Sequence, residues 1–536
     1  MTRRRLLSLA LIPCLAAAGC AEAPTRRANG DAIVVRAAQE PDSLNPYLTG
    51  MSSATDAASP IFSGLLRVND QMRFEPDLAL AVPTPENGGV VEEGAGMAVT
   101  YKLRPNVTWH DGKPFTSRDV AFTLALVTNP KAQVVDRNGY DLIHRVETPD
   151  DHTVKLHFKA VYAPYRQLFP AILPAHRLAK SLDVNRDPFN HAPIGTGPFK
   201  FHDWRSGDRL LYRKNAAYFR GEPGAKALEF KFIPDDNAAY MQLKNGAIDI
   251  YQTVSLSQRK VVKKLPGVSL FETPGLLWEH LSFNLDKPYF QDARVRRAIA
   301  HAIDKRILSD KVYDGLYQPA WSVQSPRSWA YSQDLEGVNG FDPARAKALL
   351  DEAGWRMGPD GVRHKDGLRL SVSFATTAGK KNRETAQLLI RHFLRQVGIE
   401  VRIDNHPGAI LFGAYPHGFI KSGKFDMAMW AWDTGPDPDN LNTWHSSKLP
   451  PKGSNQTHYR NPEVDKLLEA ATLTFREDER RPLYQKVSHL LAKDVPNVPL
   501  LYWTTLDAVN NRLTGFRPNP TSAGNLWNVA DWKLEK

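Results

Sequence analysis

The segment Tyr101–Leu124, YKLRPNVTWHDGKPFTSRDVAFTL, constrains the fold more than any other stretch of the chain. Its opening residues alternate as a strand, Trp109-His110-Asp111-Gly112 forms a turn with Pro114-Phe115-Thr116 behind it, and a helix follows. Thr116 stands three residues before Asp119, so its hydroxyl and that carboxylate can cap the first free amides of the helix. Val120 and Leu124 then recur at helical spacing and face inward. The segment is a fully punctuated strand–turn–helix.

The same alternation runs on from Ala32, with no internal repeat and no low-complexity tract. Strands are expected at Ala32–Ala37, Thr153–Phe158, Glu229–Pro234, Leu368–Ala375 and Glu400–Asp404. Asp342-Pro343 starts a helix as N-cap and first helical residue, with Ala346, Leu349, Leu350 and Ala353 as its apolar stripe and Gly354 as its stop. Asn461-Pro462 opens another on Val464, Leu467, Leu468 and Ala471. Asp292 precedes the stripe Val295, Ile299, Ile303, and Asp236 precedes a helix ending near Gly246. This strand-then-helix rhythm predicts α/β lobes with largely parallel sheets. At 536 residues the chain exceeds one core, so two or three domains are expected.

The first residues read as an export leader. Arg3–Arg5 are followed by the apolar run Leu6–Leu15, too short to span a bilayer. Ala17-Ala18-Gly19 before Cys20 resembles a lipobox, in which Cys20 is diacylated and becomes the N-terminus. The other reading is an ordinary signal peptide cleaved nearby. Thr2–Leu7 also loosely fits a twin-arginine signal, leaving the export route open. Residues 1–19 are thus expected to be a signal peptide and 20–31 a flexible tether. Cys14 and Cys20 are the only cysteines, so the mature fold has no disulfide, cysteine nucleophile or cysteine-ligated zinc. Without Arg3–Arg5 the charge balance is 66 basic against 58 acidic, or +8. No basic run is interleaved with aromatics, which speaks against a nucleic-acid partner.

Further landmarks follow in order: Glu40-Pro41-Asp42-Ser43-Leu44-Asn45-Pro46, Gly195-Thr196-Gly197-Pro198-Phe199, Asp292-Ala293-Arg294-Val295-Arg296-Arg297-Ala298 and Pro496–Trp503. Together with Tyr101–Leu124 they resemble, from about residue 32 to 530, the family 5 solute-binding proteins, the peptide, nickel and haem receptors of bacterial ABC importers. The resemblance implies a type II periplasmic-binding-protein fold, two α/β lobes joined by crossing strands at a hinge. Lobe I would comprise 32–47, 191–279 and 505–536, with an extra subdomain at 48–190, and lobe II would be 280–504. It implies a receptor that works as a monomer, traps its ligand by hinge closure and delivers it to permease subunits.

Within that likeness the segment Phe425–Trp444, FDMAMWAWDTGPDPDNLNTW, holds the candidate site. Residues 425–430 alternate as a strand, with Asp433 just past it and Trp430 and Trp432 beside it. A carboxylate at a strand end between aromatic walls can pair with a cationic amine once water is excluded. In the peptide-binding relatives an aspartate there anchors the peptide α-amino group; Asp433 matches it, and Asp437 is its rival in alignment. Trp430 matches a site-lining tryptophan and Glu40 an acidic residue near the peptide backbone. Trp503 is a pocket or a core residue. The arginine that fixes the ligand carboxylate in dipeptide-binding relatives has no clear counterpart in Phe374–Glu384, where Thr376, Thr377, Lys380, Lys381 and Arg383 stand.

Enzyme motifs are missing: no Walker A loop, no HExxH and no GxSxG occurs. Neither catalytic residues, a cofactor nor a resident metal is expected, and Asp433, Asp437 and Asp439 read as a polar turn without the glycine and distal glutamate of a calcium loop. Peptide is the first ligand expected. A nickel chelate, haem, an oligosaccharide or an opine is the alternative within the family, and a sensor or enzyme on the same fold is the alternative outside it.

Overall fold

A computed structural model describes residues 32–413 and 415–535. The leader, Cys20 and the tether lie outside the described residues.

The backbone of the molecule is one mixed sheet of 11 strands among the described residues. Its spatial order is Glu400–Ile403, Ser371–Ala375, Met427–Asp433, Val268–Phe283, Asn497–Asn510, Ile250–Tyr251, Ala32–Ala37, Ala227–Phe232, Arg209–Lys214, Phe199–Arg205, with Gln318–Pro319 added beside Asn497–Asn510. Val268–Phe283 and Asn497–Asn510 are the two long members, at 16 and 14 residues. At about 3.3 Å per residue the longer one spans about 50 Å, enough to run through two lobes. They pair antiparallel from Val268↔Asn510 to Ser282↔Asn497, with the register broken between Pro274 and Trp278 and again between Glu279 and His280. Pro274 has no amide hydrogen to give the ladder, so the break falls where the chain crosses between lobes.

A separate core lies on each side of that crossing. On one side Leu281, Ile299, Leu350, Phe374, Ile390 and Met427 are buried together. On the other, Ile33, Leu228, Phe230 and Ile250 continue into a core that includes Tyr101, Trp109, Val120 and Phe169. The latter group belongs to an added unit whose four-stranded sheet runs Val90–Glu93, Gly96–Lys102, Thr153–Phe158, Ile143–Asp150, antiparallel throughout.

The strand–turn–helix of Tyr101–Leu124 forms as expected. Gly96–Lys102 is the strand and Ser117–Thr128 the helix, with Thr116 at its N-cap. Asp119 accepts from the Thr116 amide at 3.0 Å, from Trp109 Nε1 at 3.3 Å and from the Ala175 amide at 2.9 Å. One buried carboxylate therefore caps the helix, holds the turn and fastens a third segment. The glycines of Gly195-Thr196-Gly197 are required by close approach: a Cβ at Gly195 would collide with the Ile61 carbonyl oxygen.

Three expectations are corrected. Among the strands of the described residues, parallel pairing joins Ala32–Ala37 to its two neighbours and Ser371–Ala375 to its two; the crossing strands, the hairpins and the added sheet are antiparallel. The helix expected after Asp236 is capped by Asp235, which accepts from the Ala238 amide at 2.8 Å, because Asp236 pairs with buried Arg36 at 2.9 Å. The strand expected at 425–430 runs from Met427 to Asp433, so Asp433 is its last residue rather than the first beyond it.

Candidate ligand-binding cleft

The register of Met427–Asp433 against Val268–Phe283 decides which side chains share a face. Trp432 lies opposite Trp278 and Trp430 opposite His280, while Asp433 lies opposite Leu277 and Ala431 opposite Glu279. Successive strand residues point to opposite sides. The two tryptophans therefore face one side of the sheet and Asp433 the other, which separates the aromatic walls from the carboxylate they were expected to flank.

On the tryptophan side, the His280 ring stands 4.5 Å from Trp430 and 4.7 Å from Trp278. Trp430, 5% exposed, also meets Phe425 edge-on. Trp278, His280, Trp430, Trp432, Trp444 and Gln456 line a small cavity of about 20 Å³. Burial pushes the His280 imidazole down to about 3, so it is neutral there.

Asp433 is half-buried. Its carboxylate accepts from the Gly435 amide at 2.9 Å, and the Ser522 hydroxyl is a second donor. Burial raises its pKa, and these two donors offset only part of that rise. Among the described residues no lysine, arginine or histidine lies within ion-pairing distance of it. Gly435, in the left-handed region at φ +69°, turns the chain sharply after the strand. Asp437, the rival, is already engaged: Arg480 grips it with two hydrogen bonds of 2.7 Å. Asp439 accepts from the Leu441 amide at 3.1 Å, and burial together with Asp437 pushes it up to about 6.

A cavity of about 600 Å³ lies on the Ser522 side, within the size range of ligand sites. Segments far apart in sequence wall it, among them Pro46 and Phe62, Arg166 and Gln167, Tyr218 and Arg220, Pro436, and Ser522 with Trp527. Pro436 comes from the loop that follows Asp433, so the wall includes both sides of the crossing strands. The two sides also touch beyond it, where Tyr165 meets Phe475 edge-on at 6.2 Å.

Glu40 and Trp503 stand apart from that cavity. Glu40 accepts from Trp204 Nε1 at 2.8 Å and from the Gly207 amide at 2.9 Å; burial pushes its carboxyl up, but these donors outweigh it and hold it low. Trp503 donates to buried Glu279 at 3.2 Å and stacks on Tyr317 at 5.4 Å. Glu279 is held by Arg383, 2.7 Å from its Nε and 3.0 Å from its Nη2. Arg383 thus sits in the segment searched for a carboxylate anchor, already neutralised by a partner 104 residues away in sequence. Neither that pair nor Ser522 and Arg166 carried a local sequence signal. Among the described residues no group of three His, Cys, Asp or Glu side chains is placed to hold a metal ion, and no helix is long and apolar enough to cross a membrane.

Residues 73–452 match the family described as bacterial extracellular solute-binding proteins, family 5. The oligopeptide-binding protein AppA of Bacillus subtilis is 29% identical over 95% of this chain and 92% of its own length. Protein XP55 of Streptomyces lividans is 30% identical over 87% of this chain and 82% of its own. The solved structure of B. subtilis AppA with a nonapeptide superposes with a TM-score of 0.79 at 28% identity, covering 94% of this chain and 99% of that one. NikZ of Campylobacter jejuni, solved with Ni(L-His), gives 0.80 at 26% identity and the same coverage. The fold is shared with these solved structures, and the chain belongs to the family 5 bacterial extracellular solute-binding proteins.

Proposed function

We propose that this protein is the extracytoplasmic substrate-binding component of an ABC importer, and that it captures peptides between its lobes and delivers them to the permease. The observation that carries the reading is Asp433, a half-buried carboxylate whose donor Ser522 lines a cavity of about 600 Å³ and which has, among the described residues, no cation within ion-pairing distance. An isolated buried carboxylate is costly, and a protonated amine from a ligand is the partner that offsets the cost. The likeness to the B. subtilis oligopeptide-binding protein, and to the di/tripeptide-binding protein 2 of Pseudomonas aeruginosa at 27% identity, supports peptide as the ligand class.

The same reading assigns residues 32–47, 191–279 and 505–536 to lobe I, 48–190 to its added subdomain and 280–504 to lobe II, with the crossing strands as hinge. It takes export through the leader, and anchoring to the membrane through a lipid on Cys20, as the way the receptor is kept near its permease. Trp430 and Trp432 would line a side-chain pocket across the sheet from Asp433.

Native mass spectrometry of protein expressed from Ala21, purified without refolding, tests the ligand class. Masses released from the cleft that fragment as peptides support the proposal. A single non-peptide mass overturns the ligand and keeps the family. The likeness to the Ni(L-His)-binding protein makes a nickel chelate the specific competitor, and a nickel signal in the same preparation would identify it. Lacking a metal-holding cluster among its described residues, the protein would take such a metal with its own organic ligands.

A further inference from the structure

We infer that the cavity beside Lys305 is a second ligand site, one that takes a small aromatic carboxylate. The cavity measures about 560 Å³, within the size range of ligand sites, and shares no lining residue with the cavity on the Ser522 side. Lys305 opens the helix Lys305–Val312 and is 4% exposed. Its Nζ donates to the Ala320 carbonyl at 2.8 Å and lies 4.4 Å from the centre of the Trp321 ring. Among the described residues no carboxylate is within ion-pairing distance of it. Burial without a counter-charge pushes its pKa down to about 7.

The other charges of the wall are either engaged or in water. Asp304 caps the same helix, accepting from the Arg306 and Ile307 amides at 3.0 Å each. Glu336 is exposed and accepts from the Tyr331 hydroxyl at 3.1 Å, and Arg306 is exposed as well. Water solvates an exposed charge, whereas a buried ammonium depends on the partners the site supplies. The Ala320 carbonyl takes one of the three N–H groups of Lys305. The amine can therefore still donate to an incoming oxygen, and an anionic oxygen also brings the counter-charge that the protein does not provide.

The rest of the wall suits a flat apolar body. Trp321 and Phe341 both line the cavity, and Phe341 is 47% exposed. The Trp321 amide donates to the Tyr502 hydroxyl at 3.2 Å, which fixes its segment to the crossing strand Asn497–Asn510. Gly337 and Gly340 contribute backbone without side chains, and a Cβ on Gly340 would stand 2.9 Å from the Gly337 carbonyl oxygen and 3.8 Å from Trp321 Cζ3. A ligand with one ring and one carboxylate answers both features. A bare anion leaves the two rings uncovered, and a neutral aromatic molecule leaves the ammonium without a counter-charge.

Calorimetric titration of the mature protein at pH 6, where Lys305 carries its proton, with phenylacetate, phenylacetamide and acetate tests the assignment. The native protein should bind phenylacetate roughly 10-fold tighter than either of the other two. Lys305→Met should abolish the preference for acid over amide by weakening the acid alone. Phe341→Ala, at a half-exposed position, should weaken acid and amide together, and it carries the test if Lys305→Met does not fold. The acid-to-amide ratio is insensitive to any loss of folded protein, so a fold defect cannot imitate the result. Native protein that binds no probe, or binds acid and amide equally, overturns the site. An acid preference that survives Lys305→Met overturns it too, since the acid would then be bound elsewhere. Acetate binding as tightly as phenylacetate, or Phe341→Ala leaving both affinities unchanged, overturns the aromatic ligand class.

Discussion

Arg480→Met should destabilise the half of the molecule that carries Asp433, and the structure allows its size to be worked out. Arg480 lies on the helix Glu477–Asp494 and holds Asp437 through two hydrogen bonds of 2.7 Å; it also donates to the Ala471 carbonyl at 3.0 Å and to the Tyr484 hydroxyl at 2.8 Å. The two side chains are 4% and 11% exposed, so water screens the pair little. Removing the cation strands Asp437 beside Asp439, whose carboxyl burial and Asp437 already push up to about 6. Breaking a buried pair from one side costs about 3–5 kcal/mol, and the other lost hydrogen bonds are contained in that figure because they belong to one network. At about 2–4 °C per kcal/mol for a domain, the melting temperature should fall by roughly 6–20 °C in a calorimetric scan. Urea unfolding of Arg480→Met, Asp437→Leu and the double variant completes the test. Removing both charges leaves no stranded carboxylate, so the double variant should lose less than the sum of the singles by at least about 2 kcal/mol. A single-variant loss under about 1 kcal/mol, or strict additivity, refutes the view that this desolvated pair holds the loop.

Two other predictions concern stability with no ligand present. Burial, with Asp507 next to it, pushes Asp56 from its ordinary 3.8 up to about 7. Between those values the folded state keeps a proton that the unfolded chain has released, so stability declines as pH rises from about 4 to about 7 and the full penalty, on the order of 4 kcal/mol, persists above it. Asp56→Asn should therefore stabilise the protein against urea at pH 8 and leave it unchanged at pH 4; equal effects at both pH values would contradict the assignment. Trp430→Ala, emptying a site 5% exposed, should cost about 3–5 kcal/mol in unfolding free energy with no ligand present, whereas Trp430→Phe should cost less. A Trp430→Ala protein that melts like the native one would show that its packing against His280 and Phe425 contributes nothing.

What could be read in advance was what local chemistry decides. Asp342-Pro343 and Asn461-Pro462 start their helices because cap and first helical residue are adjacent in sequence, and Asp342 accepts from the Arg345 amide at 2.9 Å as that pattern requires. Asp235 and Asp236 satisfy the same local rule equally well; Arg36, about 200 residues away, takes the second and leaves the first as cap. Sheet direction was misjudged for a related reason: the alternation of strands and helices does not reveal that two long strands return antiparallel between the lobes. In the cleft, Trp430 and Asp433 were grouped by nearness in sequence, and the period of two along a strand sends them to opposite faces. Pairs such as Glu279 with Arg383 and Asp437 with Arg480 leave no mark in either local segment, because only the folded chain brings them together.

The central claim is that Asp433 receives the amine of a peptide, and the most direct measurement compares free and N-acetylated forms of one peptide by calorimetry. On the native protein the free peptide should bind roughly 10–100-fold tighter, the worth of one charge-assisted hydrogen bond in a buried site. Asp433→Asn should remove most of that difference by weakening the free form. Equal affinity of the two forms for the native protein would contradict the account.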